Sequence, residues 1–119
     1  MAQTELFKWS LNKLADPSQT VLKELANGET IRYCYANGSD YAVITDKRFF
    51  AIDRTGLTGM RSSVFSLPFR SVVHWTFSGD PTAAEARLTT REGVVVLAVS
   101  ALCGIENTKK ALTDSILNA

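Results

Sequence analysis

Ile31-Arg32-Tyr33-Cys34-Tyr35-Ala36, then Asn37-Gly38-Ser39-Asp40, then Tyr41-Ala42-Val43-Ile44-Thr45, then Asp46-Lys47, then Arg48-Phe49-Phe50-Ala51-Ile52-Asp53: this stretch decides the fold. Its apolar runs are short and rich in aromatic and β-branched residues, and each ends in residues that reverse a chain. Asn37-Gly38 suits the positive φ angles of a tight hairpin turn, and Asp46-Lys47 leaves room only for a second tight turn. The stretch predicts three antiparallel strands in succession.

Working outward, the downstream sequence repeats the pattern. Arg61 to Leu67 is a fourth run, stopped by Pro68, which lacks a ladder donor and predicts a corner near Phe69-Arg70. Ser71 to Ser78, Ala84 to Thr90 and Val94 to Ser100 follow, separated by Gly79-Asp80-Pro81 and Arg91-Glu92-Gly93. Seven strands at a spacing of about ten residues leave no segment for parallel crossover helices. The chain is therefore mainly β, an antiparallel sandwich or barrel. Gly104 to Leu117 returns to helical periodicity, with Ile105, Thr108, Leu112 and Ile116 on one face, and predicts a helix closing one end. Upstream, Phe7, Leu11 and Leu14 recur at helical spacing within Thr4 to Ala15. Asp16-Pro17-Ser18-Gln19 reads as a capped start for a second helix that stops at Asn27-Gly28. The expected organisation is a helical extension over 1–28 and a β domain over 29–119.

Composition bounds the function classes. The 119 residues carry 13 Lys+Arg against 12 Asp+Glu, so no global charge draws the chain to nucleic acid or to an anionic membrane. Two cysteines and one histidine, Cys34, Cys103 and His74, make neither a disulfide scaffold nor a four-ligand zinc site. The N-terminus has no secretory pattern and no apolar run is long enough to span a bilayer, so a reduced cytoplasmic setting is expected.

Three segments resemble a known family: Ile44-Thr45-Asp46-Lys47-Arg48-Phe49, Asp53-Arg54-Thr55-Gly56-Leu57-Thr58-Gly59 and Ser66-Leu67-Pro68-Phe69-Arg70-Ser71-Val72. Together with the order of seven strands then one helix, they are similar to the single-domain bacterial pleckstrin-homology-like (PH-like) proteins. The resemblance implies a PH-like barrel of seven antiparallel strands in two nearly orthogonal sheets, capped by the C-terminal helix. It also implies a non-enzymatic role and self-association into closed rings.

No catalytic, cofactor-binding or metal site emerges. His74 falls on the polar side of its strand and has no nucleophile fixed beside it, and no G-x-S-x-G elbow occurs. Gly56 and Gly59 lack the following Lys-Ser/Thr and helix of a phosphate cradle. Arg32, Lys47 and Arg48 are the candidate anion contacts, for a lipid headgroup or a small anionic ligand at a membrane surface, where contact would be at most peripheral. Tyr33 and Tyr35 share a face with Ile31, but too few cations interleave with them for nucleic-acid binding.

The strongest anomaly concerns partners. Val94-Val95-Val96-Leu97-Ala98-Val99 is apolar at both parities, so both faces of that strand need cover. The terminal helix covers one; the N-terminal helices or another subunit must cover the other. Trp9 points off the helical stripe and finds no seat within the chain. Phe7, Trp9, Leu11, Val94, Val96 and Ala98 are accordingly the candidate oligomer interface. The expected role is a cytoplasmic scaffold that assembles with itself or an adaptor that binds a protein or peptide.

Overall fold

The computed structural model describes residues 4–55 and 61–119. Two sheets face each other across the main core. One has the order β1-β9-β8-β7 and comprises β1 (Glu5–Leu11), β9 (Val94–Ser100), β8 (Ala83–Thr89) and β7 (His74–Asp80). The other has the order β2-β3-β4-β5-β6, with β2 (Lys13–Leu14), β3 (Ile31–Asn37), β4 (Asp40–Thr45), β5 (Arg48–Thr55) and β6 (Arg61–Pro68). Helix α1 (Gln19–Glu24) lies in the β2–β3 connection, and α2 (Ile105–Leu117) ends the chain. The sheets form a PH-like sandwich, not the closed barrel expected.

The seven strands read from the sequence are β3 to β9. The Asn37–Asp40 pairing leaves a two-residue turn in which Gly38 takes φ +62°. Pro68 closes β6 opposite Arg48, on an edge strand where its missing N–H costs no ladder bond, and residues Phe69–Ser71 make the corner as one 3-10 turn.

The N-terminal helix over Thr4 to Ala15 is not formed; the segment is extended. Phe7, Trp9 and Leu11 recur at a period of two, and β1 pairs in parallel with β9, setting Phe7, Trp9 and Leu11 opposite Val95, Leu97 and Val99. Positions 7 and 11, four apart, fit a helix as well as a strand, and what decides is the open edge of β9, which only another strand can satisfy. Trp9 thereby gains a seat, stacked on Phe7 with ring centroids 5.4 Å apart. The chain then passes through Asn12, whose carbonyl accepts from the Ser100 hydroxyl, into β2 of the other sheet.

The short helix begins two residues later than Pro17. Ser18, not Asp16, is its N-cap, with its hydroxyl accepting from the Val21 N–H. Its buried side chain, Val21, joins Cys34, Val43, Phe50 and Ile52 on the outer face of the five-stranded sheet. This second small core explains why β4 and β5 are apolar at both parities. A register shift between Ile31 and Tyr33 sends Ile31 to this outer cluster, whereas Tyr35 enters the main core, so the three do not share one face as expected.

Candidate functional site

The end of the sandwich that carries the β4–β5 turn holds a dense polar network. Glu29 is nearly covered, its side chain only 2% exposed. It accepts from Arg48 Nε at 2.9 Å, from the Thr45 hydroxyl at 2.7 Å and from the Ala26 N–H at 2.9 Å. Burial pushes the Glu29 carboxyl up, but these hydrogen bonds and the Arg48 charge outweigh it, and the net displacement is downward. Arg48 is further bound to Ser66 Oγ at 2.8 Å and to the Glu24 carbonyl at 2.7 Å, and lies over the Phe50 ring at 4.4 Å.

Of the three anion candidates, then, Arg48 has its donors committed inside the chain. Lys47 is exposed in the turn and borders a cleft with Arg70, whereas Arg32 is exposed on β3 and borders a different cleft with Lys110 and the carboxylates Asp46 and Asp114. The structure brings Lys47 and Arg48 together and sets Arg32 apart from them. Arg70, which sequence reasoning assigned to the corner, is the residue that joins Lys47.

The candidate interface residues lie on adjacent strands but divide between two faces. Phe7, Trp9 and Leu11 point toward the main core, Leu11 fully buried and the two aromatics half-buried. Val94 and Val96 lie on the opposite face of the sheet and are buried, while Ala98 is half-buried. Val96 sits in register between Lys8 and Arg87, whose aliphatic stems can cover it without a further layer. One feature was not legible in the sequence: the Phe65 ring of β6 stacks on Phe7 with centroids 4.0 Å apart, so Trp9, Phe7 and Phe65 form a partly exposed aromatic row across two edge strands.

His74 is exposed at the start of β7. Cys103 is buried and its thiol lies 3.1 Å from the Ser100 carbonyl; Cys34 is also buried, and burial followed by the Asp16 charge pushes its thiol up to about 11. Among the described residues no three His, Cys, Asp or Glu side chains gather as a metal site, and no helix is long and apolar enough to cross a membrane. A separate cleft of about 500 Å³ opens between the second half of β7 and the first turns of α2.

Two facing sheets and a terminal helix are the frame on which the family likeness rests. The bacterial PH domain profile matches residues 1–86. The chain belongs to the bacterial PH domain family. Solved structures with PH domains superpose on most of the chain. A protein with a pleckstrin-homology domain from Shewanella loihica PV-4 superposes with a TM-score of 0.73 at 20% identity, covering 88% of this chain and 98% of that one. A pleckstrin homology domain from Shewanella amazonensis SB2B gives 0.61 at 22% identity over 82% of each chain. A PH domain containing protein from Exiguobacterium sibiricum 255-15 gives 0.51 at 18% identity, covering 76% of this chain and 51% of that one. No curated protein matches. In this bacterial PH domain the β3–β4 turn supplies no cation: its one charged residue, Asp40, accepts from the Arg54 N–H at 2.8 Å. The Gly56 and Gly59 positions of the family-like loop lie outside the described residues.

Proposed function

We propose that this bacterial PH domain is a non-enzymatic, cytoplasmic scaffold that assembles with copies of itself. The observation that carries the reading is the half-covered row Trp9, Phe7 and Phe65, lying where β1 and β6 each end a sheet. Open strand edges beside apolar side chains favour pairing with another chain, and Val64, 37% exposed, stands on the same edge strand but on its outer face, in register with Ile52. The role expected of Phe7, Trp9 and Ala98 is kept in this reading, whereas Leu11, Val94 and Val96 support it from inside the fold. Light scattering across micromolar concentrations is the test: the expected mass is several times that of the monomer. Val64→Glu, which places a charge on an exposed position, is expected to lower that mass while the fold persists. A monomer at every concentration would overturn the proposal. Anionic-headgroup binding through Arg32, Lys47 and Arg48 has less support, because Arg48 is spent on Glu29.

A further inference from the structure

Three reversals that are distant in the chain meet at one end of the sandwich, and each carries a cation. The β4–β5 turn carries Lys47, the corner after β6 carries Arg70, and the β8–β9 turn carries Arg91. Backbone bonds tie them together: the Lys47 carbonyl accepts from the Phe69 N–H at 2.9 Å, and the Val73 N–H donates to the Thr89 carbonyl at 2.8 Å. Within the reversals, the Ser71 hydroxyl donates to the Pro68 carbonyl at 2.6 Å, and the Thr90 hydroxyl oxygen accepts from the Glu92 and Gly93 N–H groups, each at 3.2 Å. The backbone beneath each cation is therefore fixed before any partner arrives, which lowers the ordering cost of binding.

The side chains above that frame are unspent. Lys47, Arg70 and Arg91 are exposed, and none makes an ion pair or a side-chain hydrogen bond among the described residues. Arg48, by contrast, is cancelled by Glu29. Arg70 stands between two clefts, one of about 470 Å³ shared with Lys47 and one of about 410 Å³ shared with Arg91. The nearby carboxylates are Glu92, at the second cleft, and Asp46, which accepts from the Thr30 N–H and borders the cleft on the Arg32 side. The balance across the two clefts is thus cationic. Pro68, exposed, lines the first cleft, and Val73, 57% exposed, lines the second, so each cleft has an apolar contact beside its cations.

This arrangement specifies a partner. A single small anion fills one cleft and leaves a cation unused. A bilayer meets a convex face best, whereas these cations border two recesses. An extended acidic segment suits both, because carboxylates two residues apart lie on one side of it, about 7 Å from each other. We propose that the Lys47, Arg70 and Arg91 end docks an extended acidic segment of a partner protein, its carboxylates meeting the three cations and an apolar side chain meeting Val73.

The probe is a synthetic peptide of about eight residues, glutamates with one central leucine, titrated into the full chain while backbone amide shifts are followed. Shifts are expected at residues 47, 70–73 and 91, and the counterpart with Gln for Glu should not bind. Raising ionic strength from about 0.01 to 0.15 M shortens the screening length from about 30 to 8 Å and should weaken binding several-fold. Arg70→Gln, which removes the cation common to both clefts, should weaken it about tenfold, and Lys47→Gln and Arg91→Gln each several-fold. Unchanged denaturant midpoints would show that these exposed variants stay folded. Lys110→Gln, on α2, should bind as the natural chain does. No binding at low salt, equal binding of the Gln peptide, or an equal loss in Lys110→Gln would each overturn the proposal. Inorganic phosphate displacing the peptide at equal concentration would reduce the surface to a small-anion site. Phosphatidylglycerol vesicles bound through Arg70 in the absence of peptide binding would assign it to a membrane. The same shifts rising with protein concentration alone would place a second copy there. Each of these three results overturns the proposal as well. None of Trp9, Phe7 and Phe65 takes part, so a monomeric mass bears on self-assembly alone.

Discussion

The Arg48 guanidinium closes on the Glu29 carboxylate through two hydrogen bonds, Nε to Oε2 at 2.9 Å and Nη2 to Oε1 at 3.1 Å. The pair ties the segment before β3 to the start of β5. Thr45 completes it: its hydroxyl donates to Glu29, while its oxygen accepts from the Lys47 and Arg48 N–H groups at 3.1 and 3.0 Å. The tight β4–β5 turn and the ion pair are therefore one structure, and the cations of that turn serve the fold first.

Removing the carboxylate should be costly. Breaking a fully buried pair costs about 3–5 kcal/mol. Because the Arg48 side chain keeps 20% of its exposure, Glu29→Gln is expected to cost about 2 kcal/mol. The Glu29 pKa is depressed below 4.5 in the folded chain, so its contribution is complete above that value and is lost as pH falls through the folded pKa. Denaturant midpoints measured from about pH 6 to pH 3 should therefore fall more steeply for the natural chain than for Glu29→Gln. Parallel profiles would show that Glu29 does not report the acid transition.

β1 depends on a missing side chain. A Cβ at Gly93 would land on the Thr4 carbonyl oxygen and meet Leu6 Cγ at 2.9 Å, where the Val94 N–H donates to Thr4 at 2.8 Å. Gly93→Val is expected to cost about 1–3 kcal/mol, the range for forced overpacking. The damage should be local: amide exchange should rise in Glu5–Leu11 before it rises in β4 or β5. Uniform acceleration would mean that β1 unfolds only with the whole chain.

The Tyr35 hydroxyl lies 2.8 Å from Thr108 Oγ1, both buried, and joins β3 to α2. Burial pushes the Tyr35 phenol well above its ordinary range, so it remains a neutral partner. Tyr35→Phe should cost about 1 kcal/mol. The double variant Tyr35→Phe with Thr108→Val should cost little more than either single change, since both ends of one bond are removed together. Chemical denaturation of the four proteins checks this, and fully additive losses would show that the two hydroxyls do not act as a pair.

Much of the fold was legible because its signals are local. Asn37-Gly38, Asp46-Lys47, Pro68 and Gly79 to Pro81 mark reversals through their own backbone preferences. The alternation of Trp75 and Phe77 with His74, Thr76 and Ser78 assigned the faces of β7 correctly. The N-terminal segment failed because Phe7 and Leu11, four residues apart, satisfy two periods at once, and only the open edge of β9 selects between them. Likewise, both-parity burial in β9 was anticipated, but its cover is supplied within the chain by neighbouring strands. Arg48 looked like a free cation because Glu29, 19 residues earlier, gives no local sign of pairing with it.

By itself the sequence determined the succession β3 to β9, the turns, the Pro68 corner and the terminal helix, which follow from preferences expressed within a few residues, while the PH-like class came from the resemblance of three segments to a known family. Only the tertiary structure decided that residues 5–11 form a strand on β9, that α1 seals a second core, and that Trp9, Phe7 and Phe65 make one row. It alone placed the β7 edge beside α2. The physical reason is that an edge, a covered face or a buried charge acquires meaning only from what stands beside it, and those neighbours are distant in the chain.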